Sequence, residues 1–180
     1  DGSASADAEV IALMVHVLKG AGVENFRVAV GHIGYVNMLL QEIVGDEEKA
    51  AKLRRFLFEK NVVGFRRYVE ELSLDANDKE RLLNLLQLRG GRENIETARA
   101  LLHHLQGEKM LDDLTQLAGI LDDYGVGEHI IFDFTLVSHM DYYTGIVFEG
   151  VNENIGFPLA SGGRYDELLG KFNRPAPATG

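Results

Sequence analysis

Two stretches of this chain set polar aromatics beside glycines, a combination that packing alone does not require. They are Leu136-Val137-Ser138-His139-Met140-Asp141-Tyr142-Tyr143-Thr144-Gly145-Ile146-Val147-Phe148-Glu149 and Ala160-Ser161-Gly162-Gly163-Arg164-Tyr165-Asp166. Adjacent tyrosines on a strand face opposite sides, so one of Tyr142 and Tyr143 is expected in the core while the other offers its hydroxyl to a cavity. Gly162 and Gly163 allow close approach of backbone to a ligand, and Arg164 and Asp166 flank a third tyrosine, Tyr165. The chemistry this suits is recognition of a small zwitterion. A tyrosine-rich hairpin with an ordinary glycine turn accounts for the same residues, and the residue types alone leave both readings open.

Other groups point away from catalysis by thiols or metals. The chain has no cysteine, hence no disulfide framework and no thiolate nucleophile, and its six histidines are scattered without a tight carboxylate cluster, so no metal or other cofactor is expected. His32 is expected to cap or pack beside the helix that follows it. His103 and His104 would face different directions on a helix and cannot share an ion. His139 is expected to be a solvated or packed imidazole, with a cationic role confined to low pH.

The elements that must position these motifs are legible as periodicities. Asp7 to Lys19 carries Val10, Ile11, Met14, Val15 and Leu18 at the spacing of one buried helical face, with Asp7 and Glu9 where the helix dipole favours negative charge. Phe26, Val28 and Val30 alternate with Arg27 and Ala29 as a strand does, and Gly31-His32-Ile33-Gly34 leads into a short apolar helix ending near Gly45. From Asp46 to about Leu105 the period is helical throughout, with Asn77 and Glu80 spaced as an N-cap and its reciprocating partner. A helix over Met110 to Tyr124 follows. After Gly127 the β-rich runs Ile130 to Val137 and Ile146 to Phe148 bring sheet back. Helices interrupting a sheet that resumes predict an α+β domain: residues 1–45 and 109–180 form the core and 46–108 a helical insertion.

Composition narrows the function classes. At 180 residues and 46% apolar residues the chain can bury one ordinary core. It carries 28 acidic against 18 basic residues, a net charge of −10, which argues against a surface built to neutralise phosphates, so no nucleic-acid partner is expected. The bases at Lys49, Lys52, Arg54, Arg55, Lys60, Arg66 and Arg67 alternate with glutamates and read as solvated helix faces. No run approaches a membrane span and no leader pattern opens the chain, so a cytoplasmic protein is expected.

The two motifs also carry a resemblance. Leu136 to Glu149 resembles the first histidine-specific motif of the histidyl-tRNA synthetase family, and Ser161 to Asp166 resembles the second. The resemblance implies the class II aminoacyl-tRNA synthetase fold, a mixed, mostly antiparallel sheet with a helical insertion ahead of the first motif, here as a partial domain. The synthetases have Arg-Gly-Leu before Asp-Tyr-Tyr, where this chain has Ser138-His139-Met140. A cationic donor aimed at developing charge is worth on the order of 10²–10³ in rate, and Ser138 cannot supply it. Loss of that arginine with the tyrosines kept is similar to the paralogous regulatory subunits of ATP phosphoribosyltransferase, as are Ser-His-Met-Asp-Tyr-Tyr-Thr-Gly and Gly31-His32.

Through that resemblance, Tyr143 and Tyr165 are expected to face the imidazole or amino group of bound L-histidine. Gly162 and Gly163 would give backbone access, and Asp141 and Arg164 would shape the site, with an ion pair or hairpin clamp equally open for the last two. The implied protein is non-catalytic. It would join the catalytic subunit of short-form ATP phosphoribosyltransferase in the first step of histidine biosynthesis, dimerise with itself, and pass on feedback inhibition by histidine. The resemblance further implies an excised piece of it, without the other class II motifs or an anticodon-binding domain. A synthetase core with an atypical motif is the rival reading, for which Ser138 is the discriminating residue, and a stand-alone interaction module is a third.

Overall fold

A computed structural model describes residues 2–103, 105–138 and 141–180. His104, His139 and Met140 lie outside the described residues, and with them the expectations placed on those histidines.

The chain opens with α1 (Ala4–Gly20), whose Ser3 hydroxyl accepts the Ala6 N–H at 3.3 Å. It then forms β1 (Phe26–His32) and α2 (Ile33–Ile43). Three helices follow, α3 (Glu47–Phe58), α4 (Val62–Glu71) and α5 (Ala76–Leu85), then β2 (Arg89–Gly90) and α6 (Glu93–Leu101). The long α7 (Leu105–Asp123) returns the chain to β3 (Ile130–Asp133), β4 (Ile146–Asn152) and β5 (Ala160–Gly163).

The strands make one sheet in the order β2-β3-β1-β4-β5. β1 runs parallel to β3, and the other three pairings are antiparallel, so the sheet is mixed and mostly antiparallel as expected. Strand parity divides its two faces. Phe26, Val28, Val30, Ile130, Phe132, Ile146 and Phe148 join the main apolar cluster with Ile11 and Val15 of α1 and Leu111 and Leu114 of α7. Ala29 and Val147 point the other way, packed with Leu136 and flanked by Ile131 and Tyr143.

Three local expectations need correction. Helix α5 is capped by Asp75, whose carboxylate accepts the Asp78 N–H at 2.8 Å, and Asn77 lies inside the helix. Asp and Asn are comparable caps, so the spacing to Glu80 misdirected the choice between them. The region 46–108 is also not helical throughout: Arg89 and Gly90 pair with Asp133 and Phe132 as an edge of the sheet. A two-residue strand carries no readable alternation. Finally, Tyr142 and Tyr143 sit in the turn before β4 and not on a strand, so the opposite-face argument does not govern them.

Candidate functional site

The segment between β3 and β4 takes its shape from polar contacts at both ends. After β3, the Asp133 carboxylate accepts the Thr135 N–H at 2.9 Å and the Thr135 hydroxyl at 2.6 Å, turning the chain so that Leu136 tucks under the sheet. Before β4, Thr144 N–H donates to Arg164 O at 2.8 Å and Ile33 N–H to Gly145 O at 3.0 Å. The tyrosine turn is thereby tied both to the strand after β4 and to the start of α2.

The second motif forms a clamp. Arg164 is buried, 7% exposed, and its Nε donates to Asp7 Oδ2 at 3.1 Å while Nη2 stands 3.0 Å from Asp7 Oδ1. Its Nη1 donates to Asp166 Oδ1 at 2.9 Å, and Nη2 also donates to Ser3 O at 3.1 Å. Asp166 in turn accepts the Ala178 N–H, and residues 178–180 run beside Gly163 and Tyr165 as a short antiparallel addition to β5. Arg164 and Asp166 therefore lock α1, β5 and the segment near Thr179 together. Asp7, expected only as a helix-dipole residue, is the buried counter-ion.

The tyrosines do meet. The Tyr142 ring lies 4.8 Å from Tyr143, tilted by 57°, and 6.1 Å from Tyr165 edge-on at 84°. All three are half-buried. Burial first, and the neighbouring Tyr142 side chain second, push the Tyr143 hydroxyl up to about 12, so at neutral pH it is a neutral donor and acceptor. A β-carbon on Gly163 would stand 2.7 Å from the Tyr143 ring and from Ile146 O. One on Gly162 would stand 2.6 Å from the Phe148 ring. The glycine pair thus admits aromatic rings of the chain itself.

Two clefts adjoin this cluster and share Phe58, Val137, Ser138 and Tyr143. One, of about 610 Å³, lies over the sheet and is bordered by Tyr142, Glu149, Ser161, Gly162 and Phe157. The other, of about 990 Å³, lies between α2, α3 and the tyrosine turn, with Asn37, Gln41, Arg54, Arg55, Gln106 and Asp141 on its walls. Of the six residues expected at a binding site, Asp141, Tyr143 and Gly162 border a cleft. Tyr165 reaches the cluster through Tyr142, Gly163 underlies Tyr143, and Arg164 sits in the ion-pair clamp. Arg54 and Arg55, expected on a solvated helix face, also line the larger cleft, Arg55 exposed and Arg54 half-buried. Nothing local to α3 signals this, because it depends on how the α2–α3 connection folds back over the turn.

The arrangement offers phenols, amides, carboxylates and two guanidinium groups around open volume. At Ser138, which borders both clefts, it offers a hydroxyl and no cation. Groups of these kinds can hydrogen-bond a small polar molecule. His32 serves structure: its Nδ1 accepts the Gly34 N–H at 3.0 Å and caps α2. Among the described residues no helix is long and apolar enough to cross a membrane.

Comparison with known proteins agrees with this architecture. The ATP phosphoribosyltransferase regulatory subunit of Halalkalibacterium halodurans is 58% identical over 180 residues, which is 100% of this chain and 45% of that protein. A solved structure described as an ATP phosphoribosyltransferase regulatory subunit/histidyl-tRNA synthetase from Bacillus halodurans matches with a TM-score of 0.93 at 58% identity, over 99% of this chain and 47% of that one. A chain of the ATP phosphoribosyl transferase complex from Thermotoga maritima shares the fold, with a TM-score of 0.66 at 20% identity over 91% of this chain and 57% of that one. The chain spans about half the length of the curated relatives it matches. The family model described as histidyl-tRNA synthetase matches residues 1–180, so the chain belongs to the histidyl-tRNA synthetase family.

Proposed function

We propose that this chain is part of a non-catalytic regulatory subunit of short-form ATP phosphoribosyltransferase, required for the catalytic subunit's activity in the first step of histidine biosynthesis. The observation that carries the reading is the 58% identity, sustained along the whole chain, to a protein named for that role. Ser138 supports it. A synthetase needs a cation there to stabilise charge developing during adenylate formation, and a hydroxyl bordering two open clefts supplies none. The fold likeness to a chain of the Thermotoga maritima complex is in keeping with a hetero-oligomer of catalytic and regulatory subunits, in which the regulatory subunit also pairs with itself.

On this reading L-histidine binds beside Tyr143 with Asp141 at the rim and Tyr142 and Tyr165 behind, Gly162 bordering the adjoining cleft and Gly163 and Arg164 holding the tyrosine turn in place. Feedback then requires that histidine bind the inhibited assembly more tightly than the active one, by about 1–3 kcal/mol for a typical coupling.

The test is reconstitution. The intact protein is added to a short-form catalytic subunit, and phosphoribosyl-ATP formation is followed with and without histidine. Activation that histidine suppresses is the expected result, and Tyr143→Phe blunts the suppression by about fivefold to tenfold, the cost of one ordinary hydrogen bond to the ligand. No activation, together with histidine-dependent ATP–pyrophosphate exchange by the same protein, overturns the regulatory reading in favour of a synthetase.

A further inference from the structure

The larger cleft has an uneven charge inventory. Five charged residues line it: Glu42, Glu47, Arg54, Arg55 and Asp141. Three are already matched. Glu42 holds Arg81 at 2.9 Å, reaching from α5, and Glu47 is paired with Arg54, which also donates to Asn37 Oδ1 at 3.3 Å. Among the described residues the Arg55 guanidinium and the Asp141 carboxylate have no ion-pair or hydrogen-bond partner, and both are exposed. One cation and one anion thus face the same volume from different walls, Arg55 from α3 and Asp141 from the tyrosine turn, with Tyr143 between the two clefts.

We propose that Arg55 and Asp141 are the pair that grips the backbone of a free amino acid in this cleft, Arg55 taking the α-carboxylate and Asp141 the α-ammonium. The proposal rests on the histidine-binding reading above and specifies how the charged end of the ligand is held. A guanidinium meets a carboxylate through two parallel N–H donors, a geometry an ammonium or amide cannot reproduce. The cation needed for that contact is absent at Ser138, and α3 supplies one to the same cleft. Asp141 is acceptor-only when ionised and suits an ammonium. The separation of the two charges on different elements also makes the ligand a bridge between α3 and the turn before β4, so its binding draws the helical layer onto the sheet. Neither residue is buried, so substitution removes a ligand contact without opening a hole in the core.

Calorimetric titration of the intact protein against L-histidine, histidinol, which lacks the carboxylate, and imidazolepropionate, which lacks the ammonium, tests the assignment. The unsubstituted protein is expected to bind histidine at least tenfold more tightly than either analogue, the usual value of a charge-assisted contact. Arg55→Gln lowers histidine affinity about tenfold and leaves histidinol where it was. Asp141→Asn lowers histidine affinity similarly and leaves imidazolepropionate where it was. Arg55→Lys restores only part of the loss. If Arg55→Gln leaves histidine affinity unchanged, or weakens histidine and histidinol alike, the assignment is overturned while the histidine site itself stands. Absence of any histidine binding by the unsubstituted protein overturns both.

Discussion

Asp7 and Arg164 lie 157 residues apart in sequence and form a buried ion pair, with side chains 5% and 9% exposed. A pair of this kind contributes little net stability when intact, because desolvation offsets the attraction, yet breaking it leaves one charge stranded. Asp7→Asn is therefore expected to destabilise by about 3 kcal/mol, at the low end for a broken buried pair because Asp166 and Ser3 O still hold the guanidinium. Urea denaturation reads this directly, and a midpoint within error of the unsubstituted protein's sinks the clamp as the element joining α1 to β5. Gly163→Ala is a second residue-scale case. Its β-carbon meets the backbone oxygen of Ile146 as well as the Tyr143 ring, and a carbonyl in a ladder cannot retreat as a side chain can. The substitution should displace Tyr143 and, on the proposed histidine-binding reading, weaken histidine binding as well as lower stability. The motif stood out in the sequence by its glycines and polar aromatics, but this division of labour did not. Which of its polar residues turn inward depends on Asp7, and nothing in the local pattern around Arg164 names a partner so distant.

At the scale of elements, α2 ties the turn before β4 to α6 through its first turn, by the Ile33 N–H and by Tyr35. Its N-terminus is capped by His32, a half-buried ring whose pKa falls to about 4, first through burial and then through the opposed fields of Asp113, which raises it, and Lys109, which lowers it. The ring is neutral in the folded chain at neutral pH, whereas the unfolded chain protonates it near 6.5. As pH drops from about 6.5 towards 4 the unfolded state binds the extra proton, so stability present above that window is lost through it. The loss should approach about 2 kcal/mol, less than the full pKa difference allows because the ring keeps some contact with water. His32→Asn keeps a capping acceptor and should flatten the dependence between pH 6.5 and 4. An unchanged slope in that variant assigns the effect to other groups. Farther along, the buried Tyr35 hydroxyl donates to Ala98 O of α6 at 2.9 Å, and burial raises its pKa well above the usual tyrosine value. Tyr35→Phe should cost about 1 kcal/mol, since Ala98 O keeps the Leu102 N–H at 3.2 Å and is not orphaned. The apolar alternation of β1 and the helical period of α2 and α7 made these elements readable in advance, and His32 as a cap was readable too. Asp75 in place of Asn77, the two-residue β2 and the turn at Tyr142–Tyr143 were not, because each is decided by neighbours and not by local spacing.

For the molecule as a whole, the question is whether the helices α3 to α6 behave as a separate body. Their interior residues Leu53, Leu57, Phe65, Val69, Leu82, Leu85 and Ile95 belong to the same continuous apolar cluster as Ile11, Val28, Val30, Phe132 and Phe148 of the sheet and its covering helices. β2, at the end of that block, is an edge of the sheet itself. Because the described residues of both parts share one apolar cluster, removing apolar volume from one part withdraws contacts from the other, and the two are expected to unfold in one cooperative step. Phe65 is fully buried, and Phe65→Ala should cost about 3–5 kcal/mol. The informative measurement is amide hydrogen exchange in that variant. Protection of α4 and of the β1–β4 ladder should fall together and by the same free energy, whereas two independent bodies would lose protection in α4 alone. The same continuity bears on regulation. If the proposed ligand is held between α3 and the tyrosine turn, it touches both layers of a single cooperative unit, so histidine at 100 times its Kd should raise the protection of α3 and β4 alike, by about 2.7 kcal/mol. Protection gained in the tyrosine turn alone would place the ligand on the sheet, out of reach of α3, and would leave feedback without a route into the helical layer.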